Sequence, residues 1–314
     1  MPVPHNAHRI LFYPSKIHPI FSSHRLLADC PHAVPLHLRR IINRPQILFQ
    51  YTAEFFFFAS AYIQLFQGPR RHQIVAVAFS KYFLLFAGIL SGYPIGAKLS
   101  GELYQKGVLS YRSAVFFSGF TNNASPMFVI YFVGGSLLHL GNERYVFYLL
   151  LLVSSFLGSF CTWFLLRRNP ANTHFLPKSA EKKESTDSLS LFDQFDLELN
   201  HSAELLIKIG CYILVFSVLT SFLKQTVFFG PLPTSLLCGI LEITTGNHLL
   251  CQSLADSPIK TALSLAITSF GGLCAMAQTN SVIQKNGLSI FWYAGSKLFS
   301  GFFAFFLVRT RLFR

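Results

Sequence analysis

The chain has 314 residues, of which 52% are hydrophobic and only 12% charged, and its formal net charge is +13. An average soluble domain is about 25% charged, so half the usual charge is missing, and the 35 Phe residues exceed what one core of this length hides. Lys and Arg stand at the edges of apolar runs (Arg39–Arg40, Arg70–Arg71, Arg167–Arg168, then Arg309, Arg311 and Arg314), which places the charge at a membrane surface and excludes a nucleic-acid stripe.

Residues 1–46 form a basic leader, expected to be poorly ordered, with six Lys/Arg, one acid (Asp29) and six His. It has no secretory pattern of a basic start followed by an apolar stretch and a small-residue cleavage site. His24, Cys30, His32 and His37 fit no recognised metal spacing. Six scattered Cys without a C-x-x-C pair imply neither disulfides nor zinc.

The first membrane half, residues 47–166, follows. Ile47–Phe66 and Gln73–Leu90 each approach the ~20 residues that a bilayer requires. A third run, Ser110–Leu140, is interrupted at Thr121–Pro126, and Tyr145–Leu166 is the cleanest span. Residues 167–201 read as a polar loop. The second half, residues 202–314, holds Glu204–Leu223, then Pro231–Leu250 studded with polar residues. After these come Ile259–Ile283, broken near Gly271–Gly272, and Ser289–Val308. The fold class is therefore an all-α membrane protein, a polytopic helical bundle of about 7–8 apolar segments with broken or re-entrant helices.

The two halves are related. At an offset of 179 residues Gly92, Gln105, Lys106, Leu109 and Ser110 match Gly271, Gln284, Lys285, Leu288 and Ser289; Lys81, Leu84 and Ala87 match Lys260, Leu263 and Ala266. With the leader, the 167–201 loop and the C-terminus all cytoplasmic, eight crossings make the repeat inverted; a re-entrant Pro231–Leu250 makes it parallel.

Three motifs put polar groups and helix breakers at membrane depth, where irregular backbone persists only if buried in protein or lining a cavity. In Ser91–Lys98, residues Gly92, Pro94 and Gly96 interrupt a helix beside Tyr93. Freed amides and Lys98 there favour an anion, unless Lys98 merely reaches for water at the interface. In Phe120–Pro126, Asn122, Asn123 and Ser125 suit a polar neutral solute, or act as glue between helices. The third is bipartite: Gly239–Asn247, with Glu242 and Thr244, then Phe270–Asn280, with Gln278 and Asn280. An intramembrane Glu costs about 2.5–3.5 kcal/mol unless paired, so Lys98 or Lys297 is the expected partner, or Glu242 holds a proton or solute. Glu54, Lys81 and Lys208 read as interfacial or structural. No nucleotide-binding loop, catalytic triad, metal site or cofactor motif occurs, so the chain is not expected to be an enzyme.

Ser91–Lys98, Phe120–Pro126, Gly239–Gly246 and Phe270–Gln278 resemble, in order, the YlbJ-type sporulation integral membrane proteins, which carry the nucleoside recognition or Gate domain. The resemblance runs from Gln73 to Val308. It implies a multi-pass cell-membrane protein of spore-forming bacteria, related to Gate domains of transporters. Residues 1–70 depart from that family's longer N-terminal membrane region, so a first helix is expected to be missing. The function expected is transporter-like: a small polar, nucleoside-like solute bound between the repeats at Gly92, Tyr93, Pro94, Gly96, Lys98, Asn122, Asn123, Ser125, Glu242, Thr244, Gln278 and Asn280. The alternative is a non-transporting factor in spore-envelope assembly that acts through partner proteins. The lipid bilayer is a partner in either case; nucleic acid is not.

Overall fold

In the computed structural model, residues 73–168, 191–226 and 230–312 are described, and among them every regular element is helical. The 1–46 leader with its histidines, the run Ile47–Phe66 with Glu54, and residues 169–190 of the polar stretch lie outside the described residues.

The first helix, α1 (Gln73–Ser91), stops where Gly92 takes φ +79°, a left-handed conformation open to glycine at no steric cost. Pro94 then sits at the N-cap of α2 (Ile95–Gln105), where a missing N–H costs nothing. Gly107, at φ +72°, reverses the chain. The Ser110 hydroxyl accepts from Ser113 N at 3.3 Å and so starts α3 (Tyr111–Thr121). Asn122 ends that helix, and Pro126 opens a wide π-helical segment, Met127–Leu137. The cleanest apolar run becomes α4 (Glu143–Arg168), whose 26 residues reach about 39 Å at 1.5 Å per residue. Its end is anchored by Arg167 over Trp163 (5.8 Å) and Arg168 over Phe164 (4.6 Å).

The next helix, α5 (Leu191–Thr226), begins inside the stretch read as loop. Asp193, Asp196 and Glu198 fall near its N-terminus, where the helix dipole favours acids, and Leu191, Phe192 and Phe195 supply apolar spacing that a charge count overlooks. Two 11-residue helices, α6 (Pro231–Leu241) and α7 (Ile243–Ser253), then fold back on one another around an extended Glu242 (φ −150°, ψ 124°). A Cβ at Gly246 would fall on the Gly239 backbone, so the hairpin closes at van der Waals contact.

Ser257 caps α8 (Pro258–Phe270), which ends at Gly271 with φ +86°. After this break come α9 (Gly272–Ile283), a tight turn through Gly287 (φ +75°), and α10 (Ile290–Leu307), which continues into a short π-helical end.

Four of these segments are long and apolar enough to cross a bilayer: Glu143–Arg168, Ala203–Gln225, Pro258–Asn286 and Ile290–Thr310. Ser80–Ser91, Met127–Leu137 and Pro231–Leu241 are apolar but shorter. Large apolar side chains left outside, such as Phe156, Phe160, Leu214, Phe222, Phe302 and Phe306, form surface suited to lipid.

Small polar residues fill much of the interior. One apolar cluster gathers Leu84, Leu103, Tyr111, Val115, Ile283 and Tyr293; a second gathers Val129, Phe147, Leu151, Leu265 and Ala304. Between Tyr293 and Ala304 on α10 lie the buried Ser296, Lys297, Ser300 and Gly301. Ser296 and Ser300 press on Gly158 of α4, whose neighbours Ser155, Ser159 and Thr162 are also buried, while Gly301 presses on Ala266 and Phe270 of α8. Helices in lipid associate by close packing of small residues, and the α4–α10 contact is the most extensive among the described helices.

Candidate solute site at the helix breaks

The site is assembled by chain breaks, each fixed by a close backbone approach. At Gly92 a Cβ would lie 3.1 Å from Ser125 N and 3.2 Å from Ser125 Cβ, which seats the first break on the loop after α3. Gly88 and Gly96 both press on Thr121. The Tyr93 ring reaches across to Gly271, where any Cβ would collide with the phenol. At Gly272 a Cβ would meet the carbonyl oxygens of Leu241 and Gly239 at 3.2 and 3.3 Å, so the break at Gly271–Gly272 adjoins the end of α6 just before Glu242.

Hydrogen bonds join the halves at this point. Asn122 Nδ2 donates to Thr279 Oγ1 and to Tyr293 OH, both at 2.9 Å. Asn123 Oδ1 accepts from Ser155 Oγ and from Lys297 Nζ, both at 2.7 Å, while its Nδ2 donates to Phe120 O. The Lys297 ammonium stands 5.6 Å from the ring centres of both Tyr93 and Tyr293. Lys297 and Asn122 are each 0% exposed. Among the described residues no carboxylate pairs with Lys297. One amide and two aromatic faces offset only part of the several kcal/mol that burying one ion costs. Two further atoms are buried without a partner: Tyr93 OH and Asn122 Oδ1.

The structure brings Gly92, Tyr93, Asn122 and Asn123 together as the sequence led us to expect. It adds Thr279, Tyr293, Lys297 and Ser155. Ser125 lies beside them as a cap, accepting from Phe128 N at 3.3 Å. Pro94 and Gly96 shape the break, with Gly96 against Thr121.

Other expected members stand apart in these contacts. Lys98 is paired with Glu102 at 3.8 Å, its side chain 28% exposed, one helical turn away on the same helix. The expected ion pair of Glu242 with Lys98 or Lys297 is not formed. Glu242 is instead the N-cap of α7: Oε1 accepts from Thr244 N and Oε2 from Thr245 N, both at 2.7 Å. A carboxylate at a helix N-terminus receives two charge-assisted bonds and the dipole, which offsets burial without any cation. Thr244 contributes its amide to that cap. Gln278 Nε2 turns to Cys274 Sγ at 3.3 Å, whereas its neighbour Thr279 reaches Asn122, and Asn280 is half-buried on α9. Of the remaining intramembrane charges, Lys81 is exposed and Lys208 pairs with Glu204 on its own helix.

The Lys98–Glu102 pair is partly solvated and i,i+4, so it adds about 0.5 kcal/mol at most. Lys98→Ala accordingly leaves the thermal midpoint of the purified protein within about 2 °C of wild type. A larger drop, read by static light scattering or intrinsic fluorescence on heating, would show that Lys98 bears on the fold in some other way.

The chain is 23% identical over 254 residues to the sporulation integral membrane protein YlbJ of Bacillus subtilis (strain 168), a match covering 71% of this chain and 61% of that protein. It thus spans less than two thirds of the relative it matches. No family model and no solved structure matches it. That relative is an integral membrane protein, and among the described residues this chain has four helices long and apolar enough to span, with Phe and Leu turned outward: it is a multi-pass membrane protein.

Proposed function

We propose that the chain is a secondary-transporter-like membrane protein of spore formation that binds a small polar solute between two related halves. The observation carrying this reading is the pair of hydrogen bonds from Asn122, at the break of one half, to Thr279 and Tyr293 of the other. They lie where Tyr93 crosses to Gly271. Solute sites of repeat-built transporters form at such discontinuous helices.

Matched backbone devices support the relation between halves. Gly92 and Gly271 both break a helix at positive φ, Gly107 and Gly287 both reverse the chain, and Ser110 and Ser289 both precede the next helix. The α6–α7 hairpin fits a re-entrant element, because each arm of about 16 Å is half of a ~30 Å hydrocarbon core. Rocking of one half against the other gives alternating access, and no catalytic step is assigned to the chain.

Uptake by proteoliposomes of nucleosides and small organic anions tests this reading. Wild type is expected to accumulate at least one of them, and Asn122→Ala to slow that uptake about tenfold or more, since it leaves two buried hydroxyls without their donor. Folded wild type that moves nothing across the panel would sink the transport reading. The relative is a sporulation integral membrane protein, which fits a second role equally, as a non-transporting factor in spore-envelope assembly. In that case deletion of residues 169–190 blocks spore formation while Asn122→Ala has no effect on it.

A further inference from the structure

Lys297 fixes the sign of charge that the site can hold. Its ammonium is wholly buried, has one neutral hydrogen-bond acceptor in Asn123 Oδ1, and faces no carboxylate among the described residues. Beside it stand a phenol without a partner, Tyr93 OH, and an acceptor without a donor, Asn122 Oδ1. The three belong to different elements that meet at one place: Lys297 lies 5.6 Å from the Tyr93 ring centre and from that of Tyr293, and Tyr293 OH is held by Asn122 at 2.9 Å.

Each unmet group selects a ligand feature. A buried cation calls for one negative charge; a neutral solute leaves it uncompensated and a dianion replaces one unbalanced charge by another. The free phenol supplies a donor for an oxyanion. The orphan amide oxygen takes a hydroxyl proton, and it stands against a bare halide, which has none to give. Resting on the solute-binding reading above, we propose that the site takes a small hydroxy-monocarboxylate. Lys297 is its counter-charge, Tyr93 a second donor to the carboxylate, and Asn122 Oδ1 the acceptor for the hydroxyl. The site is closed to water in this state, so the acid enters with the movement of the halves.

The test is the thermal midpoint of the full chain in detergent, titrated with sodium glycolate or lactate against acetate, chloride and sulfate at equal ionic strength. Glycolate or lactate should raise the midpoint by about 5 °C at saturation. Acetate should need about tenfold more for the same rise, having lost one buried hydrogen bond. Lys297→Met keeps the side-chain volume, removes the buried charge and should abolish the response. Tyr93→Phe, which keeps the ring, should raise the half-saturating concentration about tenfold and decides the matter if Lys297→Met does not fold. No response of wild type to either hydroxy acid overturns the proposal. So does an equal response to acetate, chloride or sulfate, or a response unchanged in the variants. Binding of glycolate without uptake of any solute would leave this inference standing and sink transport; uptake of a nucleoside with no hydroxy-acid response would do the reverse.

Discussion

Gly158→Ala is expected to lower the thermal midpoint by about 10 °C and to deplete the monodisperse fraction on size exclusion. A Cβ at this position would fall on Ser300 Oγ, Ser300 N and Ser296 O, two of which are backbone atoms that no rotamer change can move. The helices α4 and α10 must then separate along their largest shared face, and overpacking of this kind costs about 3 kcal/mol. For a chain of this size each kcal/mol moves the midpoint by about 2–4 °C. Gly210→Ala on α5 is the matching control. Nothing lies within 4 Å of its Cβ, so the change should be neutral or stabilising by up to about 1 kcal/mol. Equal losses from both variants would mean that helix geometry in general, and not the α4–α10 approach, governs stability.

Glu242→Ala is expected to destabilise by about 2–4 kcal/mol, because it strips two buried amides, Thr244 N and Thr245 N, of their acceptors at once. Glu242→Gln retains one acceptor oxygen and should lose about half as much. Both losses should be visible on heating in the absence of any solute. Full stability of Glu242→Ala combined with abolished uptake would move the residue from cap to solute ligand.

The apolar runs made the helices legible, and the Gly-Tyr-Pro, Asn-Asn and Gly-Gly stretches marked where they break. Partner choice was hidden. Glu242 in an apolar run poses a charge problem, and a cation is the answer a linear sequence offers. The backbone solved it locally, since an extended residue directly before Ile243–Ser253 places both carboxylate oxygens on that helix's own amides. Lys297 was named only as a partner for Glu242, although its surroundings held the signal. Tyr293, Ser296, Lys297, Ser300 and Ala304 recur at helical spacing through α10, a polar stripe in an aromatic segment, and all five are buried. The α6–α7 hairpin was half legible: the polar residues of Gly239–Asn247 marked an irregularity, and a re-entrant Pro231–Leu250 stood as one of two readings beside a full crossing.

The seam between α4 and α10 has a mechanical consequence. Most of its hydroxyls are spent within their own helices or elsewhere: Thr162 on Gly158 O, Ser296 on Tyr293 O, Ser300 on Ser296 O, and Ser155 on Asn123, while Ser159 Oγ is buried without a partner. Among the described residues no side-chain hydrogen bond links α4 directly to α10. Around Gly158, Ser296 and Ser300 the two helices therefore touch over small residues, with dispersion as the adhesion, and larger side chains such as Phe147 and Leu151 pack toward Ala304 at one end. A slide along that seam carries Lys297 with it. The close joint of these two helices can thus shift without breaking a polar bond between them.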